Sequence, residues 1–175
     1  MPASKDFLRK LIGGDRRSIG QSNEVAALVL KRPALFAELI GGMRAADPLV
    51  RMRAADAAEK ASLKQPGLLK PFKAELLRLL DETGEQELRW HLAQMAPRLP
   101  LTKRERIHVV SALRRYLQDR SSIVKTCALQ ALADLSEQDK SFVPEIKALL
   151  QDSVRSGTAA MKARSRKLLP RFAVR

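Results

Sequence analysis

The residues of this chain best suited to chemistry are basic side chains that cluster in two segments. Residues 98–125 hold eight Lys and Arg against two acidic residues, and residues 155–175 hold seven against none. These segments supply most of the formal net charge of +14 carried by the 175-residue chain. Clustered ammonium and guanidinium groups suit binding to carboxylates or phosphates. The sequence therefore favours an anionic partner. The alternative is that the cations serve only solubility and a basic tail.

The first basic set follows one predicted helix, KRERIHVVSALRRYLQDR. Its members are Lys103, Arg104, Arg106, Arg114, Arg115 and Arg120. Arg114 follows Arg104 by about three helical turns, so part of the set shares one helix face. Arg78 corresponds to Arg115 in the preceding part of the chain and would extend the patch. Asp152 corresponds to it in the following part and would interrupt the patch.

The second basic set surrounds a predicted C-terminal helix, 157–170. Its members are Lys162, Arg164, Arg166, Lys167 and Arg171. A terminal capping helix needs a polar outer face, but five bases without an acid exceed that need. Phosphate contact through these residues would depend on salt and not on base sequence. The sequence offers no aromatic platform on which bases could stack.

Residues suited to catalysis or metal binding are sparse. His91 and His108 have no second His or Cys at ligand spacing; we expect His91 on a polar helix face and His108 half-buried. Cys127 has no His near it in sequence and is expected to be structural. Paired glycines at 13–14 and 41–42 precede no Lys-Ser or Lys-Thr motif and are assigned to turns or helix ends. We therefore predict no catalytic, cofactor or metal site and no small-molecule substrate.

Three features of the sequence predict the cellular compartment of the protein. A single cysteine allows no internal disulfide and fits a reducing cytoplasm. The first residues, MPASKDFLRKLIGG, lack the apolar core of a secretory signal. No apolar run approaches the ~18 residues of a membrane span. We expect a cytoplasmic protein that does not bind membranes.

The helices that must position these residues repeat along the chain. An apolar residue followed by a base recurs every 36 to 38 residues, at Val50-Arg51, Leu88-Arg89, Val124-Lys125 and Met161-Lys162. Apolar or small residues follow four, seven and eight positions later, on one helix face. A second set of leucines repeats every 37 residues, at Leu39, Leu76, Leu113 and Leu150. Two independent registers with one period predict a repeated helix–turn–helix unit.

The predicted units span 15–43, 47–80, 85–117 and 121–154, within one domain of 1–175. Residues 4–12 and 157–170 are predicted to be terminal capping helices. Signals for the starts of helices agree with these bounds: prolines for the second helices, acids for the first, and a capping box at Thr102–Glu105. The residues that give them are Pro33, Pro71 and Pro144, and Asp15 and Asp47.

The segments DPLVR (47–51), EQELR (85–89) and SSIVK (121–125) resemble the acid-x-x-Val-Arg signature of the HEAT-repeat family. Glu85 replaces Asp in the second segment, Ser121 stands at the acid position of the third, and the first unit has no Val-Arg. The resemblance implies an all-α, right-handed α-solenoid of about four helical hairpins. First helices would form a convex layer, and second helices would line a shallow concave face.

The resemblance also implies roles for the repeated bases. Arg51, Arg89, Lys125 and Lys162 would pair with acids of their own or a neighbouring repeat and form a structural ladder. Our main hypothesis is a scaffold without enzymatic activity that binds an acidic protein on a basic concave face. The alternative is a solenoid that binds the backbone of DNA or RNA.

A third, less favoured hypothesis comes from HEAT-like DNA glycosylases that repair alkylated bases. The family implies Trp, Tyr, Asp and Arg residues lining a concave face. This chain offers Trp90 and Tyr116, but Gln94 stands where an Asp would follow Trp90 by one turn. We carry no catalytic residue across and expect Trp90 to be wedged between repeats.

Overall fold

The structure is a computed structural model that describes residues 7–15 and 18–173. The regular secondary structure of these ranges is all helical, with no β-strand, which confirms the predicted all-α class. No helix in the described part of the chain is both long enough and apolar enough to cross a bilayer. The chain divides into two compact units: unit 1 is Met1–Leu79 with Arg98–Pro100, and unit 2 is Leu80–Pro97 with Leu101–Arg175.

Unit 1 is organised around one long helix rich in small residues. Its helices are α1 (Ser22–Lys31), α2 (Phe36–Gly42), α3 (Pro48–Lys64) and most of α4 (Lys73–Glu82), with 3-10 segments at Pro33–Leu35 and Pro66–Phe72. Helix α3 packs against α1 and α2. The predicted small-residue face is buried, because Ala54, Ala57 and Ala58 are all 0% exposed. Small side chains let neighbouring helices approach closely.

Unit 2 is built around a second helix of the same kind. Its helices are α5 (Gln86–Met95), α6 (Lys103–Tyr116), α7 (Ser122–Gln138), α8 (Val143–Ser156) and α9 (Ala159–Leu168). Helix α7 packs against the other four. Ala128, Ala131 and Leu132 form its buried face, as the sequence predicted.

Most predicted signals for helix starts are confirmed. Asp47 caps α3 by accepting a hydrogen bond from the Leu49 amide at 2.8 Å. Thr102 and Glu105 form the predicted capping box of α6, each side chain accepting from the other's backbone amide. Asp15 is a correction: its side chain accepts from the Ser18 amide at 3.0 Å, and α1 begins only at Ser22. A side-chain bond of this kind to the backbone competes with helix formation.

The prolines and paired glycines behave largely as predicted. Pro33 and Pro144 lie at the starts of helical segments, whereas Pro71 lies inside a 3-10 segment just before α4. Gly13 and Gly14 have φ of +86° and +80° and form a turn. The pair at 41–42 ends α2.

The predicted terminal capping helices are found in part. Residues 4–6 of the N-terminal one lie outside the described residues, and the helical turn that follows covers 7–9. Helix α9 and a 3-10 segment, Leu169–Phe172, occupy the predicted C-terminal position.

A buried arginine, which the sequence analysis missed, anchors the start of unit 1. Arg53 on α3 is 1% exposed. Its guanidinium donates to the carbonyls of Leu11, Asp15 and Ser18 at 2.9, 3.1 and 3.1 Å, and also to that of Gly13. A buried charge needs such a set of acceptors, because an unpaired one is costly. Arg53 thereby ties the described residues of the segment 11–20 to α3.

Candidate binding surface

Helix α6 presents most of the first predicted set of cations to solvent. Lys103, Arg104, Arg114 and Arg115 are exposed, because the opposite face of α6 is buried through Val109, Val110 and Leu113. Arg106 is different: its side chain is 19% exposed and donates to the Leu101 carbonyl at 3.3 Å. The set is therefore an exposed group with one inward-facing member.

Several cations of this set already pair with carboxylates of unit 2. Arg114 Nη1 lies 3.0 Å from Glu145 Oε1, and Arg106 lies 3.5 Å from Asp139. Arg115 contacts one carboxylate oxygen of Asp81 at 2.6 Å, and His108 Nε2 contacts the other at 2.7 Å. The Arg114 and Arg115 side chains remain 55% and 57% exposed, so water and other carboxylates can reach them.

The remaining cations of this set form no direct hydrogen bond or ion pair within the described chain, although Lys103 and Arg120 attract Asp139 and Asp119 at longer range. Lys103, Arg104 and Arg120 are exposed and form no side-chain hydrogen bond or ion pair with any described residue. Lys103 and Arg104 occupy the first two positions of α6. A cation is electrostatically disfavoured there, because the exposed amides of the helix N-terminus already carry positive charge.

Arg78 lies in unit 1 and is exposed, with 55% of its side chain accessible. It contacts Glu75 one turn away at 2.6 Å, and Arg44 pairs with the same carboxylate. These hydrogen bonds, from Arg78 and then Arg44, hold the pKa of Glu75 below its usual value. The predicted member of the patch is therefore part of a local charge network.

The C-terminal set also divides into paired and unpaired members. Arg171 bridges two acids of α7, with 2.8 Å to Asp134 and 2.7 Å to Glu137, and its bond lowers the pKa of Glu137. Arg164 donates to Gln130 Oε1 at 2.8 Å. Three further cations make no such contact with the rest of the described chain: Lys162, Arg166 and Lys167.

The predicted ladder of repeated bases is confirmed at Arg89. Its guanidinium donates to the Thr83 carbonyl at 2.9 Å and to Asp119 at 2.5 Å, and lies 5.3 Å from the centre of the Tyr116 ring. Burial raises the pKa of Asp119, but the Ser121 amide and Arg89 outweigh it, and the net shift is downward. Arg89 therefore has a structural role.

The ladder is not continued by the two lysines. Arg51 donates to the carbonyls of Ala45 and Ala46 at 2.6 and 2.8 Å, as Arg89 does to Thr83. Lys125 and Lys162 are half-buried, and their ammonium groups pair with no described acid, so the prediction is wrong for both. Arg51 and Arg89 each donate a hydrogen bond to the carbonyl six residues earlier in the chain. Lys125 and Lys162 do not make this bond.

Both histidine predictions are wrong. His91 is 7% exposed, because its position on α5 falls on the face that also buries Leu88 and Leu92. His108 is exposed, with 49% of its side chain accessible, and pairs with Asp81. The neighbouring Leu, Ile and Val residues predicted that His108 would be half-buried. The buried face of α6 begins one position later, at Val109.

The polar aromatic residues are largely withdrawn from solvent. Tyr116 is 4% exposed, and its hydroxyl donates to the Leu80 carbonyl at 2.7 Å. Burial raises the pKa of Tyr116 above its usual value. Trp90 is half-buried, with its ring 5.4 Å from that of His91 in an edge-on arrangement. The Tyr116 ring is therefore not available to stack on a base, and the Trp90 ring is only partly exposed.

The described residues contain no group of three or more His, Cys, Asp or Glu that could hold a metal ion. Comparisons with protein-family models and with curated proteins found no match to this chain. The functional assignment therefore depends on the chemistry of the surface.

Proposed function

We propose that this chain is a HEAT-like helical-repeat scaffold without enzymatic activity, and that cations of unit 2 bind an acidic protein. In this proposal the helical hairpins belong to a right-handed α-solenoid, and α6 lies on its concave face. The proposed contacts combine unpaired cations with those whose ion pairs are exposed: Lys103, Arg104, Arg114, Arg115, Arg120, Lys162, Arg166 and Lys167.

The observation that carries the proposal is the position of Lys103 and Arg104. Both are exposed and unpaired within the described chain, at the N-terminal end of α6. A cation in this position costs about 0.3–1 kcal/mol of helix stability at low salt. Apart from a longer-range attraction between Lys103 and Asp139, the described residues offer these cations no compensation, whereas an external anion would.

Carboxylates fit this surface because they already occupy it. Arg114 and Arg115 each contact an acid of a neighbouring helix in exposed ion pairs. Such pairs contribute about 0–1 kcal/mol, so an incoming carboxylate can replace one at little cost. Arginine also offers two parallel hydrogen bonds to a carboxylate.

The backbone of DNA or RNA is the second candidate, favoured by Arg166 and Lys167 on α9. Both are exposed and unpaired in the described part of the chain, and both can contact phosphate without reading bases. The burial of Tyr116 and the partial burial of Trp90 weigh against a stacking platform. They also place a HEAT-like DNA glycosylase last among the three hypotheses.

Binding to two defined polyanions tests the proposal. We would measure fluorescence anisotropy of a labelled Glu/Asp-rich polypeptide and of a labelled DNA duplex of about 20 base pairs, from about 0.05 to 0.2 M salt. We expect salt to weaken binding of both polyanions, and the acidic polypeptide to bind more tightly than DNA at the higher salt concentration. Tighter DNA binding at that salt concentration would favour the second candidate.

Matched charge reversals then locate the contact. Lys103→Glu should weaken binding of the polypeptide, whereas Lys10→Glu, the same change at an exposed lysine of unit 1, should not. Equal losses in the two variants would show that only net charge matters. No binding of either polyanion at low salt would overturn both proposals.

A further inference from the structure

An apolar groove in unit 1 is independent of the basic surface of unit 2. It lies between the 3-10 segment Pro33–Leu35 with the start of α2 and the 3-10 segment Pro66–Phe72. Its volume is about 500 Å³. This falls within the range of ligand sites, about 300–1,000 Å³.

The floor of the groove consists of aromatic and aliphatic side chains. Phe36 is buried, and its ring centre lies 5.7 Å from that of the half-buried Phe72. Leu68 is also half-buried, and Pro33 and Pro71 are exposed at the sides. Gln65 contributes the one polar side chain of the lining. A small-molecule site usually contains several convergent polar groups, so this lining suits apolar side chains of a polypeptide better.

Cationic residues adjoin the lining residues of the groove in the sequence. Arg32, Lys64 and Lys70 each directly adjoin a lining residue. All three are exposed, and their side chains pair with no residue in the described ranges. Glu38 is the only acid within two residues of any lining residue. An occupant with apolar anchors and flanking carboxylates would therefore match the groove in both polarity and charge.

We propose that this groove is a docking site for an acidic, amphipathic segment of a protein partner. Apolar side chains of the segment contact Phe72 and Leu68, and its carboxylates pair with Arg32, Lys64 and Lys70. The site is formed entirely by unit 1. The proposal therefore stands whether or not the cations of unit 2 bind a partner.

Two glycines provide a matched pair of test variants. A Cβ added at Gly67, which lines the groove, meets no atom within 4 Å, and the same holds at Gly41, which does not line it. Neither glycine has a positive φ. Gly67→Glu and Gly41→Glu therefore make the same chemical change in unit 1 without steric cost, but only Gly67→Glu adds a carboxylate to the groove.

The probe is a short peptide selected from a displayed random library on the purified full chain. We expect the selected peptides to be rich in Asp and Glu with spaced apolar residues, and to shift amide resonances of residues 33–37 and 65–72 in ¹H–¹⁵N spectra. Gly67→Glu should weaken their binding by at least about tenfold, because it places a like charge in an apolar site. Gly41→Glu should bind as the original chain does, and neither variant should melt at a lower temperature than the original chain.

The outcomes separate this proposal from the function proposed for unit 2. Peptides that lose affinity with Lys103→Glu but not with Gly67→Glu would overturn the groove proposal and support the unit 2 surface. Peptides that lose affinity with Gly67→Glu but not with Lys103→Glu would support the groove proposal and argue against the unit 2 surface as their binding site. Failure to enrich any peptide, or enrichment of peptides without acidic residues, would overturn the groove proposal.

Discussion

The two units differ in whether they bury an arginine: unit 1 buries Arg53, whereas no arginine in the described part of unit 2 is buried. In unit 1, Arg53 is buried and donates to backbone carbonyls, which carry no titratable charge. In unit 2, Arg89 and Arg171 remain partly exposed and contact carboxylates. The first arrangement should be strong and insensitive to acid, since breaking it leaves a buried charge or buried carbonyls. The second should be weaker and depend on pH.

Replacing Arg53 should have the largest effect. Arg53→Met keeps much of the aliphatic volume but removes the donors to the carbonyls of Leu11, Gly13, Asp15 and Ser18. We expect the free energy of unfolding to fall by roughly 3 kcal/mol or more, because several buried acceptors lose their partners. Urea denaturation of the full chain would measure it.

Arg104→Met provides the control for this prediction. Arg104 is exposed and unpaired within the described residues, so its replacement should change stability by less than about 0.5 kcal/mol. Similar losses in the two variants would show that the Arg53 cluster contributes no more than a surface side chain.

A smaller effect is expected from the glycine that packs on Arg53. Gly20 has φ of +54°, and an added Cβ would lie 3.0 Å from the Arg53 guanidinium carbon. Gly20→Ala should cost about 1–3 kcal/mol through backbone strain and displacement of the guanidinium. Gly67→Ala, where the Cβ enters open space, should be neutral or stabilising by up to about 1 kcal/mol. Thermal melts of both variants would check this; equal melting temperatures would contradict it.

Acid should distinguish the Arg53 contacts of unit 1 from the Arg89 contact of unit 2. The pKa of Asp119 is lowered, so its contact with Arg89 stabilises the fold above the unfolded pKa, near 4, and is lost as the pH falls through the folded pKa. Between about pH 6 and pH 3, Asp119→Asn should therefore lose less stability than the original chain. Urea unfolding at both pH values would measure the difference.

The Arg53 cluster supplies the contrast in acid. Its acceptors are carbonyls, so the penalty of Arg53→Met should be the same at both pH values. The stability loss caused by Arg53→Met could instead shrink in acid by as much as the stabilisation from Asp119 does. That result would show that titration of some other group governs both effects.

The sequence predicted the elements of both units better than their surfaces. The period of Leu39, Leu76, Leu113 and Leu150 places four buried residues, because apolar spacing records which helix face is packed. Local capping at Thr102 was also predictable, since it depends on residues three apart. These features need only local sequence.

Contacts between distant segments were not predictable in this way. Arg53 lies in a small-residue helix, and nothing nearby shows that its acceptors are about forty residues earlier. Neither could sequence separate Arg104, which is unpaired in the described chain, from Arg115, which meets an acid 34 residues away. The groove of unit 1 was missed for the same reason, because its two sides are separate 3-10 segments.

The smallest expected effect concerns the cations that unit 2 leaves unpaired. Lys103→Glu replaces a cation with an anion in the first turn of α6, where the helix dipole favours negative charge. Stability at low salt should therefore rise by at most about 1 kcal/mol, because the attraction of Lys103 to Asp139 is lost, and added salt should reduce the gain. Lys147→Glu, within α8, lacks this N-terminal position and serves as the control. Urea denaturation at two salt concentrations would measure both variants.

The direction of this effect matters more than its size. A charge reversal that stabilises the fold while weakening binding of the acidic polypeptide would show that Lys103 is retained for its partner at a cost in stability. A destabilising Lys103→Glu would mean that the lysine supports the fold. The unpaired cations of α6 would then be structural, as Arg53 is in unit 1, and the main argument for a binding surface on unit 2 would be lost.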